Sequence, residues 1–187
     1  MITETSKKIS KYLISNGADE SDEDVLAYGA ECLINLLISD GLLLVIGVFT
    51  HHILYLLVWS VGYSVLRLNL GGLHASSHFW CILIGTAIGA SSMVISRFWV
   101  SHTYITIISV VLAVIIAIVI APVPHKHKQH LQKQRRKIKY KVTATLIGEC
   151  IAIVIFYFVD ITMASYIVSG LIMATTLAIF GVLFNPR

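Results

Sequence analysis

Long apolar runs broken by short polar interruptions dominate this chain. The clearest is Thr103–Ala121, in which Ile105–Ala121 carries no charge and Pro122 and Pro124 follow as a stop. A helix that crosses a bilayer needs ~20 mostly apolar residues, and this run qualifies. Val142–Val159 and Ile161–Phe184 come next, with only Asp160 between them. Further runs lie at about His78–Ser96, at about Ile53–Leu68, which is short, and at about Val25–Val48, which Glu31, Asn35 and Asp40 interrupt. In that first run Asp24, Glu31 and Asn35 share one helical face. The stripe points to the protein interior or the headgroups, so the segment is expected to be partly interfacial. Ile2–Ile14 reads as a short amphipathic helix on the membrane surface with its lysines outward. The pattern predicts an all-α polytopic membrane protein with about six transmembrane helices and an N-terminal amphipathic helix. Residues 1–187 form one integral membrane domain: a segment 1–24, a loop 66–81 that carries candidate chemistry, and a loop 122–141.

Composition strengthens this reading. Of 187 residues 57% are hydrophobic and 13% charged, against roughly 25% charged in ordinary soluble domains. The formal charge of +4 suggests nucleic acid only until it is mapped. Lys126, Lys128, Lys133, Arg135, Arg136, Lys137, Lys139 and Lys141 fall in one loop between apolar runs, which is the placement that orients membrane proteins; no nucleic-acid partner is expected. With six spans, that loop shares a side with Lys7, Lys8, Lys11, Arg67 and Arg187, and Arg97 stands alone on the other. The expected location is a bacterial cell membrane, with termini and loop 66–81 on the cytoplasmic side. The first 16 residues lack the apolar core of a cleavable signal peptide.

Cys32, Cys81 and Cys150 are scattered and odd in number, which argues against a disulfide framework or a thiolate metal site. His125, His127 and His130 sit among lysines that repel cations, so no metal and no cofactor is expected.

Chemistry concentrates in Asn69-Leu70-Gly71-Gly72-Leu73-His74-Ala75-Ser76-Ser77-His78-Phe79-Trp80-Cys81. Gly71-Gly72 breaks the helix. Two histidines and a cysteine follow. An imidazole in reach of a thiol favours the thiolate, which is the nucleophile, and a helix N-terminus near Cys81 adds partial positive charge. His78 and Cys81 are three apart and touch on a regular helix. His74 and Cys81 are about 10.5 Å apart along a straight helix, so they meet only if the chain folds back around Ala75–Ser77. Ser76, Ser77, Asn69 and backbone amides are candidate oxyanion donors, and Phe79 and Trp80 are expected to roof the site against water.

The segment resembles the active-site stretch of the accessory gene regulator protein B family: Gly-Gly-x-His-Ala, then a cysteine seven residues after the histidine. Here the pattern falls on Gly71, Gly72, His74, Ala75 and Cys81, and Arg67 answers to an arginine that precedes the glycines. The resemblance extends in size and hydropathy over essentially the whole chain. It implies a membrane cysteine endopeptidase of quorum sensing. Such an enzyme removes the C-terminal part of a short propeptide and closes the rest into a thiolactone or lactone. It also implies Cys81 as nucleophile and His74 as its base, with Arg67, Gly71 and Gly72 in support; His78 falls outside the pattern and stays a rival base, and Ser76 and Ser77 remain supporting candidates on their own chemistry. The implied substrate has an amphipathic leader and an acidic tail. The Lys126–Lys141 loop, with Arg135, Arg136 and Lys137, would attract that tail or anionic lipid if it does more than set topology; setting topology alone is the reading preferred for it. A homodimer is left open, with Gly85, Gly89 and Ala90 as small residues for close helix packing.

The alternative from another class is a small transporter or exporter subunit working through Glu149 and Asp40, since carboxylates inside spans are costly and often functional. Structural pairing, with Lys139 reaching Glu149, is the expectation preferred here. A scaffold without chemistry and a peptidase that hydrolyses without cyclising complete the alternatives.

Overall fold

The computed structural model describes residues 2–72, 77–121, 123 and 135–184. Seven α-helices follow in order: α1 (Ile2–Ser15), α2 (Glu23–Thr50), α3 (Ile53–Leu70), α4 (His78–Ser101), α5 (Thr103–Ile120), α6 (Arg135–Val159) and α7 (Ile161–Phe184), with a 3₁₀ turn at Glu20–Asp22 before α2. Helices α2 to α7 are each long and apolar enough to cross a membrane. Among the described residues there is no strand. The protein is a multi-pass helical membrane protein.

Helix α7 occupies the centre and packs against α3, α4, α5 and α6, while α2 packs on α3 and α4. Lipid tails are as apolar as leucine, so helices here associate through close packing rather than through water exclusion. The sequence of α7 supplies this: Ala164, Ser165, Ser169, Gly170, Ala174 and Ala178 are all buried. At Gly170 an added Cβ would lie 3.4 Å from the Trp59 carbonyl oxygen and 3.5 Å from the Tyr63 nitrogen. Trp59 and Tyr63, stacked at 4.6 Å, thus seat against a flat face. Gly85 and Gly89 are used within the chain: Cβ atoms there would stand 2.9 Å from Ser39 Oγ and 2.6 Å from Leu43 Cδ2.

The joints at one end of the bundle are minimal. His51 and His52 join α2 to α3, His102 joins α4 to α5, and Asp160 joins α6 to α7. His51 takes φ 59°, the left-handed conformation that ends α2. Asp160 caps α7, its Oδ1 accepting from the Thr162 and Met163 amides at 2.9 and 3.2 Å, and its Oδ2 accepting from the Tyr55 hydroxyl at 3.1 Å. The opposite end gathers α1, the C-terminus of α3 and the N-termini of α2, α4 and α6. It also carries every described Lys and Arg except Arg97.

Several boundaries differ from expectation. Helix α2 is unbroken across Glu31, Asn35 and Asp40, because each finds a partner. Ser6 Oγ of α1 donates to Glu31 Oε1 (3.3 Å), Asn35 meets His78, and Ser64 Oγ donates to Asp40 Oδ2 (3.1 Å). The polar stripe therefore faces α1 and α4. Helix α1 docks by a polar ridge, with Ser10 Oγ also donating to the Glu23 carbonyl (2.8 Å), and leaves Ile9, Tyr12 and Leu13 exposed. Helix α6 begins at Arg135, inside the expected loop, since lysine and arginine are good helix formers. Glu149 is 7% exposed and neither carboxylate oxygen has a hydrogen-bond partner. The expected pairing with Lys139 is not formed, because ten helical residues separate the two by about 15 Å of rise.

Candidate functional site

Where α3 ends, the backbone turns through Gly71 (φ 82°) and Gly72 (φ 156°). The Gly71 amide donates to the Arg67 carbonyl at 2.8 Å. Glycine at Gly72 answers a crowding problem as well as a torsional one. A Cβ there would sit 2.9 Å from Arg67 Nη1 and 3.2 Å from the Leu177 carbonyl oxygen. The turn is closed from outside by Val123, whose amide donates to the Leu70 carbonyl at 3.0 Å.

Helix α4 starts after Ser77, which is extended (φ −137°, ψ 153°) and caps the helix by accepting from the Trp80 amide at 3.4 Å. The Cys81 amide donates to the Ser77 carbonyl at 3.0 Å. The thiol thus sits in the first turn, where unpaired amides and the helix dipole favour negative charge. It is half-buried and free.

Cys81 lines a cavity of about 150 Å³ between α2, α3, α4 and α7, together with Cys32, Asn35, Asp40, Tyr63 and Arg67. The Arg67 guanidinium lies over the Tyr63 ring, 5.8 Å from its centroid. The Tyr28 hydroxyl is hydrogen-bonded to Cys32, at the same end of α2. A larger cavity of about 450 Å³ lies among α4, α5, α6 and α7 around Trp99, Val110, Val154 and Phe158. Its walls are mainly aliphatic and aromatic, with Thr103, Thr106, Ser165 and Cys150 as the polar exceptions and no histidine or carboxylate among them.

Both ring nitrogens of His78 find partners other than Cys81. Asn35 Nδ2 lies 3.1 Å from His78 Nδ1, and Thr3 Oγ1 lies 3.1 Å from Nε2. An amide nitrogen only donates, so Nδ1 accepts, and the ring proton on Nε2 is given to Thr3. Both nitrogens are occupied in tying α1 and α2 to the first turn of α4. Phe79 and Trp80 are 67% and 53% exposed and line no part of the cavity. The expected roof is not there: the two rings pack edge-on against each other at 5.6 Å and face outward. Leu73, His74, Ala75 and Ser76 lie outside the described residues. Arg136 and Lys137 are exposed in the first turn of α6, and the side chain of Arg135 is not described.

Cys32, Asn35 and Tyr63 escaped selection as site residues on sequence grounds, and Asp40 enters there only through the transporter alternative. A signal existed: Cys32, Asn35 and Ser39 recur at spacings of three and four, a small polar face on an otherwise apolar helix. Among the described residues no cluster of three or more potential metal ligands occurs.

Fold and site together define a polytopic helical membrane protein with a thiol at a helix N-terminus, set in a cavity beside an arginine. The chain belongs to the accessory gene regulator B (AgrB) family, whose model matches residues 6–181. It is similar to an AgrB-like protein of Clostridium perfringens strain SM101, 29% identical over 170 residues, covering 84% of this chain and 79% of the relative. A second AgrB-like protein, from C. perfringens strain 13, is 28% identical over the same shares. No solved structure matches.

Proposed function

We propose that the protein is a membrane cysteine endopeptidase that cuts a quorum-sensing propeptide and cyclises the product through an acyl-enzyme on Cys81. The observation that carries this reading is the Cys81 thiol in the first turn of α4, lining a cavity with Arg67. The resemblance of the Gly-Gly-x-His-Ala segment and family membership support His74 as the base. His74 takes the thiol proton, and the thiolate attacks the scissile carbonyl carbon. The C–N bond breaks, the imidazolium protonates the departing amine, and the C-terminal part leaves. The thioester on Cys81 is then attacked by a thiol or hydroxyl of the retained peptide. That group gives its proton to His74 and bonds to the carbonyl carbon, the C–S bond to Cys81 breaks, and the departing sulfur takes the proton back from His74. Exchange of thioester for thioester is nearly isoenergetic, so exclusion of water decides between ring closure and hydrolysis.

The basic end of the bundle faces the cytoplasm in this reading. Arg135, Arg136 and Lys137 occupy the N-terminal turn of α6, where the helix dipole adds to their charge. The combination attracts an acidic peptide tail. The second reading, a transporter subunit, draws on the unpartnered Glu149 carboxyl.

The test uses the purified chain in lipid nanodiscs with its propeptide and mass spectrometry of the products. The expected product is one water lighter than the linear fragment. Cys81→Ala and His74→Ala each leave the propeptide whole. Cleavage that persists in Cys81→Ala refutes the reading.

A further inference from the structure

The polar groups around the Cys81 cavity are mostly bound within its own wall. Asp40 accepts from Ser64 (3.1 Å) and from Ser60. Ser39 Oγ donates to the Ile82 carbonyl (3.2 Å). Asn35 Nδ2 is held by His78 (3.1 Å), while its Oδ1 is buried without a hydrogen-bond partner. Arg67 lies on Tyr63. What the cavity offers a ligand is therefore mainly apolar surface, from Leu36, Ile84, Ile88 and Leu177, with the Arg67 guanidinium and the Cys32 and Cys81 thiols also in its wall.

Size narrows the occupant. Pockets for whole small molecules run to ~300–1,000 Å³, whereas an apolar void of roughly 150 Å³ holds one benzene-sized group. At about 150 Å³ this cavity takes one side chain and no length of peptide backbone. Attack by Cys81 needs the carbonyl carbon at ~3–3.5 Å from the sulfur. The side chain nearest to that carbon belongs to the residue that donates the carbonyl.

We propose that the cavity is the specificity subsite for the propeptide residue at the scissile carbonyl. Leu36, Ile84, Ile88 and Leu177 select one apolar side chain of leucine-to-phenylalanine size. This rests on the reading of Cys81 as nucleophile. Ile88 is the gauge, lying two helical turns deeper than Cys81 on the same face of α4.

The test measures kcat/KM for the full chain in nanodiscs on propeptides carrying Ala, Val, Leu, Phe, Trp or Asp at the cleaved position, located first by mass spectrometry. Leu and Phe are expected to exceed Ala and Asp by at least roughly 10-fold, the discrimination that a methylene-sized difference gives in an apolar pocket. Ile88→Ala moves the optimum toward Trp, and Ile88→Phe moves it toward Ala and Val. Equal rates across the wild-type series overturn the inference. So do Ile88 variants that lower every peptide by one common factor. If Ile88 variants fail to fold, the wild-type series decides alone. Cleavage surviving in Cys81→Ala would sink the nucleophile assignment itself, whereas a flat series with an inactive Cys81→Ala sinks only the subsite.

Discussion

Gly72→Ala should damage the protein through Arg67, and the size of the effect follows from the turn. An L-residue at positive φ costs roughly 1–2 kcal/mol. The new Cβ would also press on Arg67 Nη1 at 2.9 Å and on the Leu177 carbonyl oxygen at 3.2 Å, and overpacking of this kind costs about 1–3 kcal/mol. A loss of about 2–5 kcal/mol is expected, or roughly 2–4 °C of melting temperature per kcal/mol for a chain of this size. A double-mutant cycle separates the two contributions. In an Arg67→Ala background the Nη1 contact is gone, so the penalty of Gly72→Ala should shrink by about 1–2 kcal/mol while the torsional part remains. Four melting curves in one detergent, at one scan rate, supply the measurement. Penalties that add to within about 0.5 kcal/mol would show that the turn does not press on the guanidinium, and the account of Gly72 would fail.

Glu149 has no hydrogen-bond partner to lose, so Glu149→Leu should leave stability unchanged or raise it by up to about 4 kcal/mol, with propeptide cleavage retained; loss of cleavage with an intact melting curve would show that Glu149 serves the reaction and is not a structural bystander. Asp160→Ala removes a cap to two amides and an acceptor for Tyr55, and should cost about 2–4 kcal/mol. Because Asp160 lies at the end of the bundle away from Cys81, cleavage per folded molecule should not change. Ser10→Val removes the bond from α1 to the Glu23 carbonyl and should weaken docking of α1 by about 1 kcal/mol, read as faster amide exchange in α1 than in α2.

The spanning helices were legible because a charge-free run of that length has few other uses; Ile105–Ala121 needs no pattern beyond its composition. The start of α6 was less so, since the lysines and arginines that mark a cytoplasmic loop are also good helix formers, and composition cannot separate the two. At the site, Gly71-Gly72 and Cys81 stood out through their spacing, and Arg67 through resemblance alone. The bond from Asn35 to His78 spans 43 residues of chain, and no local pattern announces it. His78 looked closest to Cys81 by helical spacing, yet its ring turned to α1 and α2 because Asn35 and Thr3 offered hydrogen bonds that a half-buried thiol does not match. Phe79 and Trp80 misled for a similar reason: adjacency to a nucleophile in sequence says nothing about which side of a helix faces lipid.

The joints at His51–His52, His102 and Asp160 carry a mechanical consequence. With one or two residues between successive helices, each pair is held like the legs of a forceps at its pivot. Any parting of α2 from α3 must therefore be a tilt about His51–His52, widest at the opposite end, where Cys32 of α2 and Arg67 of α3 line the cavity.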